Sequence, residues 1–171
     1  MAALASVGRR IVAAIALAAV LAFVPLQVLA ADLRQGRDVT IGSGETVNDD
    51  LYAAGGTVSV NGNVNGSVLV IGGTLTIAGT VSHDVMVAGG TITISGHVGG
   101  SVRAAGGTVN ITGPVANDVV AAGGTVDVAS GATIGRDLLL AGGNATVSGP
   151  VARNVRLGSG TATLHSKVGG N

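Results

Sequence analysis

The sequence predicts an all-β chain: a single-stranded, right-handed parallel β-helix of triangular section, with about seven coils of 17 residues. Three observations carry this. Gly-Gly recurs at Gly55-Gly56, Gly72-Gly73, Gly89-Gly90, Gly106-Gly107 and Gly123-Gly124, each 17 residues on, then at Gly142-Gly143 after 19. A fixed period of this size is the mark of stacked structural repeats. Stacking the repeats aligns five apolar columns, two apart within each short run, which is strand rather than helix spacing. With one Tyr, one Phe and no Trp in 171 residues, the interior must be slim and filled by Val, Ile, Leu and Ala.

Met1 to Ala31 reads differently from the rest. Arg9 and Arg10 precede an apolar run from Ile11 to Leu26, and Val28-Leu29-Ala30-Ala31 supplies small residues for cleavage. This predicts a signal helix, residues 1–31, that exports the remainder across the cytoplasmic membrane to the periplasm, the cell surface or the medium. An uncleaved N-terminal membrane anchor is the alternative, since Ile11 to Ala31 is long enough to span a bilayer. Asp32 to Asp38, residues 32–38, is expected to be a loosely ordered polar linker.

Residues 39–171 form the repeat domain. The position of Val102 holds Leu51, Val68, Val85, Val119, Leu138 and Val155 in the other coils. That of Ala104 holds Ala53, Val70, Val87, Ala121, Leu140 and Leu157. Val109, Ile111 and Val115 head three further apolar columns. Each coil is expected to be three short strands joined by tight corners. Those at Gly106-Gly107 and Thr112-Gly113 call for glycine if the backbone adopts positive φ. A third corner falls in the column Asp50, Ser67, Asp84, Ser101, Asp118, Asp137, Asn154, whose side chains suit turn amides; a ladder of metal ligands is the rival reading. Val126–Ile134 matches Val39–Val47, so a partial first coil starts near Val39 and both segments carry a wider corner. Coils about 4.8 Å apart would make seven of them a rod of about 34 Å. Each inward side chain contributes about 1.5–3 kcal/mol if fully buried.

The run Asp118 to Val128, Asp-Val-Val-Ala-Ala-Gly-Gly-Thr-Val-Asp-Val, resembles the bactofilins, polymer-forming cytoskeletal proteins. It is still more similar to their exported relatives, built from repeats of the form G-D-V-x-x-A-G-G-T-V. The resemblance spans Val39 to Gly169. It implies a right-handed triangular β-helix that stacks end to end into filaments without nucleotide. Bactofilins proper are cytoplasmic, whereas this chain carries an export signal, so a cytoskeletal role does not transfer directly while self-assembly does.

Candidate functional residues lie on surfaces rather than in a catalytic constellation. An outward column holds Tyr52, Leu69, Met86, Val120 and Leu139 beside Arg103 and Arg156, and Ile71 stands in the next. This apolar face predicts lateral self-association, a membrane-associated surface or a missing covering segment. Asp49 and Asp50 near the start, and Arg153, Arg156 and Lys167 near the end, predict complementary end contacts. Asn171 aligns with Asn154 and Asp137, so the sequence stops where another strand would begin. That predicts either an uncapped end open to pairing or a piece of a longer chain.

Thr74/Thr76, Thr91/Thr93 and Thr161/Thr163 form a partial threonine array of the sort that binds ice; threonine is also simply a favoured outward strand residue. His83, His97 and His165 occupy three different columns, which argues against a shared metal. Sparse charge, 11% of residues with a formal net of zero, argues against nucleic acid. Losing Arg9 and Arg10 would leave seven basic against nine acidic residues. The expectation is a non-enzymatic homopolymer without cofactor, whose partners are copies of itself and, beyond those, a membrane surface or a cell-envelope polysaccharide. The alternatives are a surface-binding solenoid for ice or polysaccharide, and the soluble module of a longer membrane protein.

Overall fold

The computed structural model of the chain describes residues 31–170. The signal or anchor segment expected in residues 1–31 therefore lies, but for Ala31, outside the described residues. The described part is a parallel β-solenoid of about eight turns. Its strands are β1 (Ala31–Ile41), β2 (Thr46–Val47), β3 (Asp50–Val60), β4 (Asn63–Val64), β5 (Val68–Ile77), β6 (Val85–Ile94), β7 (Val102–Ile111), β8 (Val119–Val128), β9 (Leu138–Val147) and β10 (Val155–Leu164). Eight of them form one parallel sheet in the order β1-β3-β5-β6-β7-β8-β9-β10, and β2 pairs with β4.

The ladder keeps the sequence period. Val85 pairs with Val102, and Val102 with Val119, at 17-residue steps. Val119 pairs with Leu138 at a 19-residue step, as Val39 does with Val58. Both extra pairs of residues sit in four-residue turns, closed by Glu45 N–H to Gly42 O at 2.9 Å and Ala132 N–H to Ala129 O at 3.0 Å. The wider corners matched in the sequence are thus the same turn used twice.

All five apolar columns face inward. From Leu51 to Val151 their members are buried, most at no more than 2% exposure, and no polar side chain joins them. Alternation along one 10-residue strand supplies four of the columns. The fifth is a single file of bridges, Val64 to Val81 to Val98 to Val115 to Ile134 to Val151 to Val168. Beyond the paired two-residue strands β2 and β4, the third wall is therefore a single bridge per coil rather than the short strand expected. Between the corners at Gly113 and Asp118 there is length for only one inward residue. Val115 N–H donates to Thr133 O and Ala116 N–H to Val98 O, which fixes that one residue between its neighbours. The first two walls, conversely, are one strand bent at the second glycine of each pair. The register runs Gly89 to Gly106, then resumes at Thr91 to Thr108, leaving Gly90 and Gly107 out of the ladder.

Two further expectations change. Among the described residues no glycine has positive φ. Glycine is required at the corners because coils approach too closely for a Cβ: one added at Gly106 would lie 2.7 Å from the Gly89 carbonyl oxygen and 3.0 Å from Ile92 Cδ1. At Gly79 and Gly96 the collision with the carbonyl of the preceding corner is closer still. The linker at 32–38 is also not loose. It lies within β1 and pairs with β3 from Ala31–Asp50 to Ile41–Val60, so the first coil begins at the first described residue rather than near Val39.

Candidate association surfaces

The outward apolar residues are brought together by the ladder. Tyr52, Leu69, Met86, Arg103, Val120, Leu139 and Arg156 stand opposite one another on successive coils. Tyr52, Met86, Val120 and Leu139 are 39–47% exposed, and Ile71, in the neighbouring file with Ala54 and Ala88, is 57% exposed. Small side chains in the neighbouring file leave a trough between the larger ones. It is an open cavity of about 410 Å³ lined by Leu69, Ile71, Met86, Ala88, Arg103, Ala105, Val120 and Ala122. Its one charge, the Arg103 guanidinium, stands 3.8 Å from Asp84 Oδ2 at the corner.

The acidic corner column is a hydrogen-bond ladder between coils. Asp50 Oδ1 accepts Ser67 N–H at 2.7 Å, and Asp84 Oδ1 accepts Ser101 N–H at 2.7 Å. Asp118 Oδ1 accepts Asp137 N–H, and Asp137 Oδ1 accepts both N–H groups offered by Asn154, backbone and side chain. The carboxylate reaches to the amide one coil on, not within its own turn. At the serine positions of the column the backbone N–H of Ser67 and Ser101 donates and the carboxylate of Asp50 and Asp84 accepts. The Asn154 amides, with Arg153 and Arg156 nearby, hold the Asp137 carboxyl below the usual carboxylate range.

The residues expected to make end contacts divide. Asp49 Oδ1 caps Asp50 N–H at 2.8 Å, and Asp50 is occupied by Ser67. Arg153 and Arg156 flank Asp137, and Arg156 also ends the lateral file. Lys167 lies apart. It borders a second groove of about 530 Å³ along the third wall with His97, Pro114 and Pro150.

The first coil holds a cluster that the sequence reading passed over. Asp32 pairs in register with Leu51 and Arg34 with Ala53, so both take inward columns. Arg34 Nε donates to Asp32 Oδ1 at 3.0 Å and Nη2 to Asp32 Oδ2 at 2.7 Å, while Nη2 also meets Glu45 Oε1. Gly42 N–H donates to the other Glu45 oxygen at 3.2 Å. The guanidinium thus reaches from the first wall to the corner between the second and third. Hydrogen bonding to Arg34 lowers the pKa of both Asp32 and Glu45, and raises that of Arg34. Stepping the sequence back by 19 residues from Leu51 and Ala53 would have found these positions. The signal was missed because the residues there are charged.

No protein family, curated protein or solved structure matches this chain.

Proposed function

We propose that this chain is a non-enzymatic structural protein, exported from the cytoplasm, that self-assembles through side-by-side contact of solenoids. The observation that supports the reading most is the lateral file Tyr52, Leu69, Met86, Val120 and Leu139, with its trough. A strand face turned to water normally carries polar residues, and a stripe that is apolar but for Arg103 and the terminal Arg156 is the kind of surface on which a partner packs. A second copy fits the spacing, because its own file repeats at the same coil rise of about 4.8 Å. Large side chains on one rod can enter the gaps left by alanines on the other. The bactofilin resemblance supports self-assembly without nucleotide, although the mode it implies is end-to-end stacking rather than side-by-side contact. End contacts from Asp49 and Asp50 to Arg153, Arg156 and Lys167 are left out of the proposal, because Asp49 and Asp50 each commit an oxygen to an internal amide.

A second reading has one observation in its favour. Thr57, Thr74, Thr91, Thr108 and Thr125 stand on five successive coils, as a face that binds ice or polysaccharide would require. Asn110 and Asp127 interrupt the adjacent file, so the lateral assembly is preferred.

The test is Met86→Glu combined with Val120→Glu, followed by sedimentation velocity and electron microscopy. Both side chains point outward, so the melting temperature should hold while lateral assemblies disappear. Unchanged assemblies, or thermal hysteresis in the wild-type chain, would turn the reading toward the alternative.

A further inference from the structure

We infer that Asp32, Arg34 and Glu45 form an end plug that shuts the first-coil mouth of the solenoid against a second copy of this chain. The inference rests on the self-association proposed above and deepens it by naming a surface that is withheld.

In every later coil the two positions are apolar, Leu51 and Ala53 being the nearest pair. A coil edge carrying such residues presents an oily lumen ringed by strand edges, which is a template for stacking. In the first coil the same two columns carry Asp32 and Arg34, and the Arg34 guanidinium crosses to Glu45. Charges turned inward at a sheet edge are a known guard against edge-to-edge pairing. A coil arriving here would have to strip water from three charged groups, whose side chains keep 30–38% of their exposure, and in the same columns the last coil would offer only Val155 and Leu157 in return.

Burial agrees with a closed mouth. Val39, Ile41 and Val47 in the first coil are exposed by 7%, 0% and 5%. In the last described coil the equivalent of Ile41, Leu164, is 47% exposed.

The experiment uses the full chain. Asp32→Leu with Arg34→Ala copies the residues of the next coil, and Glu45→Gln removes the carboxylate left behind. The triple variant should fold, by circular dichroism, and its weight-average mass in sedimentation velocity should at least double relative to wild type. A folded triple variant that sediments as wild type overturns the plug, whether or not the wild type assembles. A second probe does not depend on that variant folding. The thiol of Thr40→Cys, exposed on the second wall of β1 and so away from the lateral file, should react with a maleimide as fast at assembling concentrations as at dilution in an otherwise wild-type chain. Protection on assembly means that a copy covers the mouth, and overturns the plug. Failure of the lateral reading looks different: the wild type stays monomeric at every concentration, while the triple variant still reports on the plug.

Discussion

A Cβ placed on Gly89 would lie 2.5 Å from the carbonyl oxygen of Gly72, the residue one coil below it. The same relation recurs at Gly106 over Gly89 and Gly123 over Gly106, each at 2.7 Å. The glycine file is a consequence of how closely these coils approach, and it leads to a contrast between glycines. Gly96→Ala should cost about 1–3 kcal/mol, the usual penalty for overpacking, because the obstruction is backbone of the preceding corner. Gly44→Ala, with nothing within 4 Å, should be neutral or stabilising by up to about 1 kcal/mol. Chemical denaturation of the two variants checks this; equal losses would mean that chain freedom, not contact, selects glycine.

Inward and outward positions should separate just as sharply. Val85 is fully buried, whereas Thr93 lies on the outer face of β6. Val85→Asp strands a charge in a lumen without polar partners and should cost at least about 3 kcal/mol. Thr93→Asp should stay within about 0.5 kcal/mol of wild type, as surface changes do. Thermal melts followed by circular dichroism decide between them.

The corner ladder predicts a graded response at Asp84. Asp84→Ala leaves the Ser101 amide without its side-chain acceptor and should cost about 1 kcal/mol. Asp84→Asn keeps an oxygen in place and should recover most of that loss, although it also gives up the pairing with Arg103. If a bound metal were the purpose of the column, added divalent cations would raise the melting temperature of wild type but not of Asp84→Asn.

Stability should fall on the acid side. Asp32, Glu45 and Asp137 all have carboxyls lowered in the folded chain, the first two by hydrogen bonds from Arg34 and the third by the Asn154 amides. A lowered folded value means the unfolded chain takes up protons first. The stabilisation is therefore complete above the ordinary carboxylate range near pH 4 and is lost as pH drops through the lower folded values. Melting temperature against pH should bend downward there, and Arg34→Ala should flatten part of the bend.

Much of this fold could be read from the residues, because each buried column declares itself as an apolar residue at a fixed step. Val102, Ile111 and Val115 needed no coordinates to be placed inside, and the wide corners at 42–45 and 129–132 announced themselves by matching each other. What escaped notice had a physical cause in each case. Asp32 and Arg34 sit in core columns but lack the apolar character by which a core column is recognised. The third wall offers one apolar residue per coil, too few to tell a strand from a bridge. The reason for the glycines lies between residues 17 apart, where a single corner taken alone suggests only unusual φ. The lateral file was legible as a column, but the trough depends on side-chain size in two adjacent files and took shape only in three dimensions.

Because each rung meets its neighbours at chemically equivalent positions, this molecule can change length in quanta. Excising residues 85–101 would join Asp84 to Val102 and leave valine above valine, with the carboxylate of Asp84 now beneath the Asp118 amide. The product should be a shorter copy of the same object, by about 4.8 Å, measurable by small-angle scattering. Such a chain works as a ruler whose graduations can be added or removed without redesigning either end.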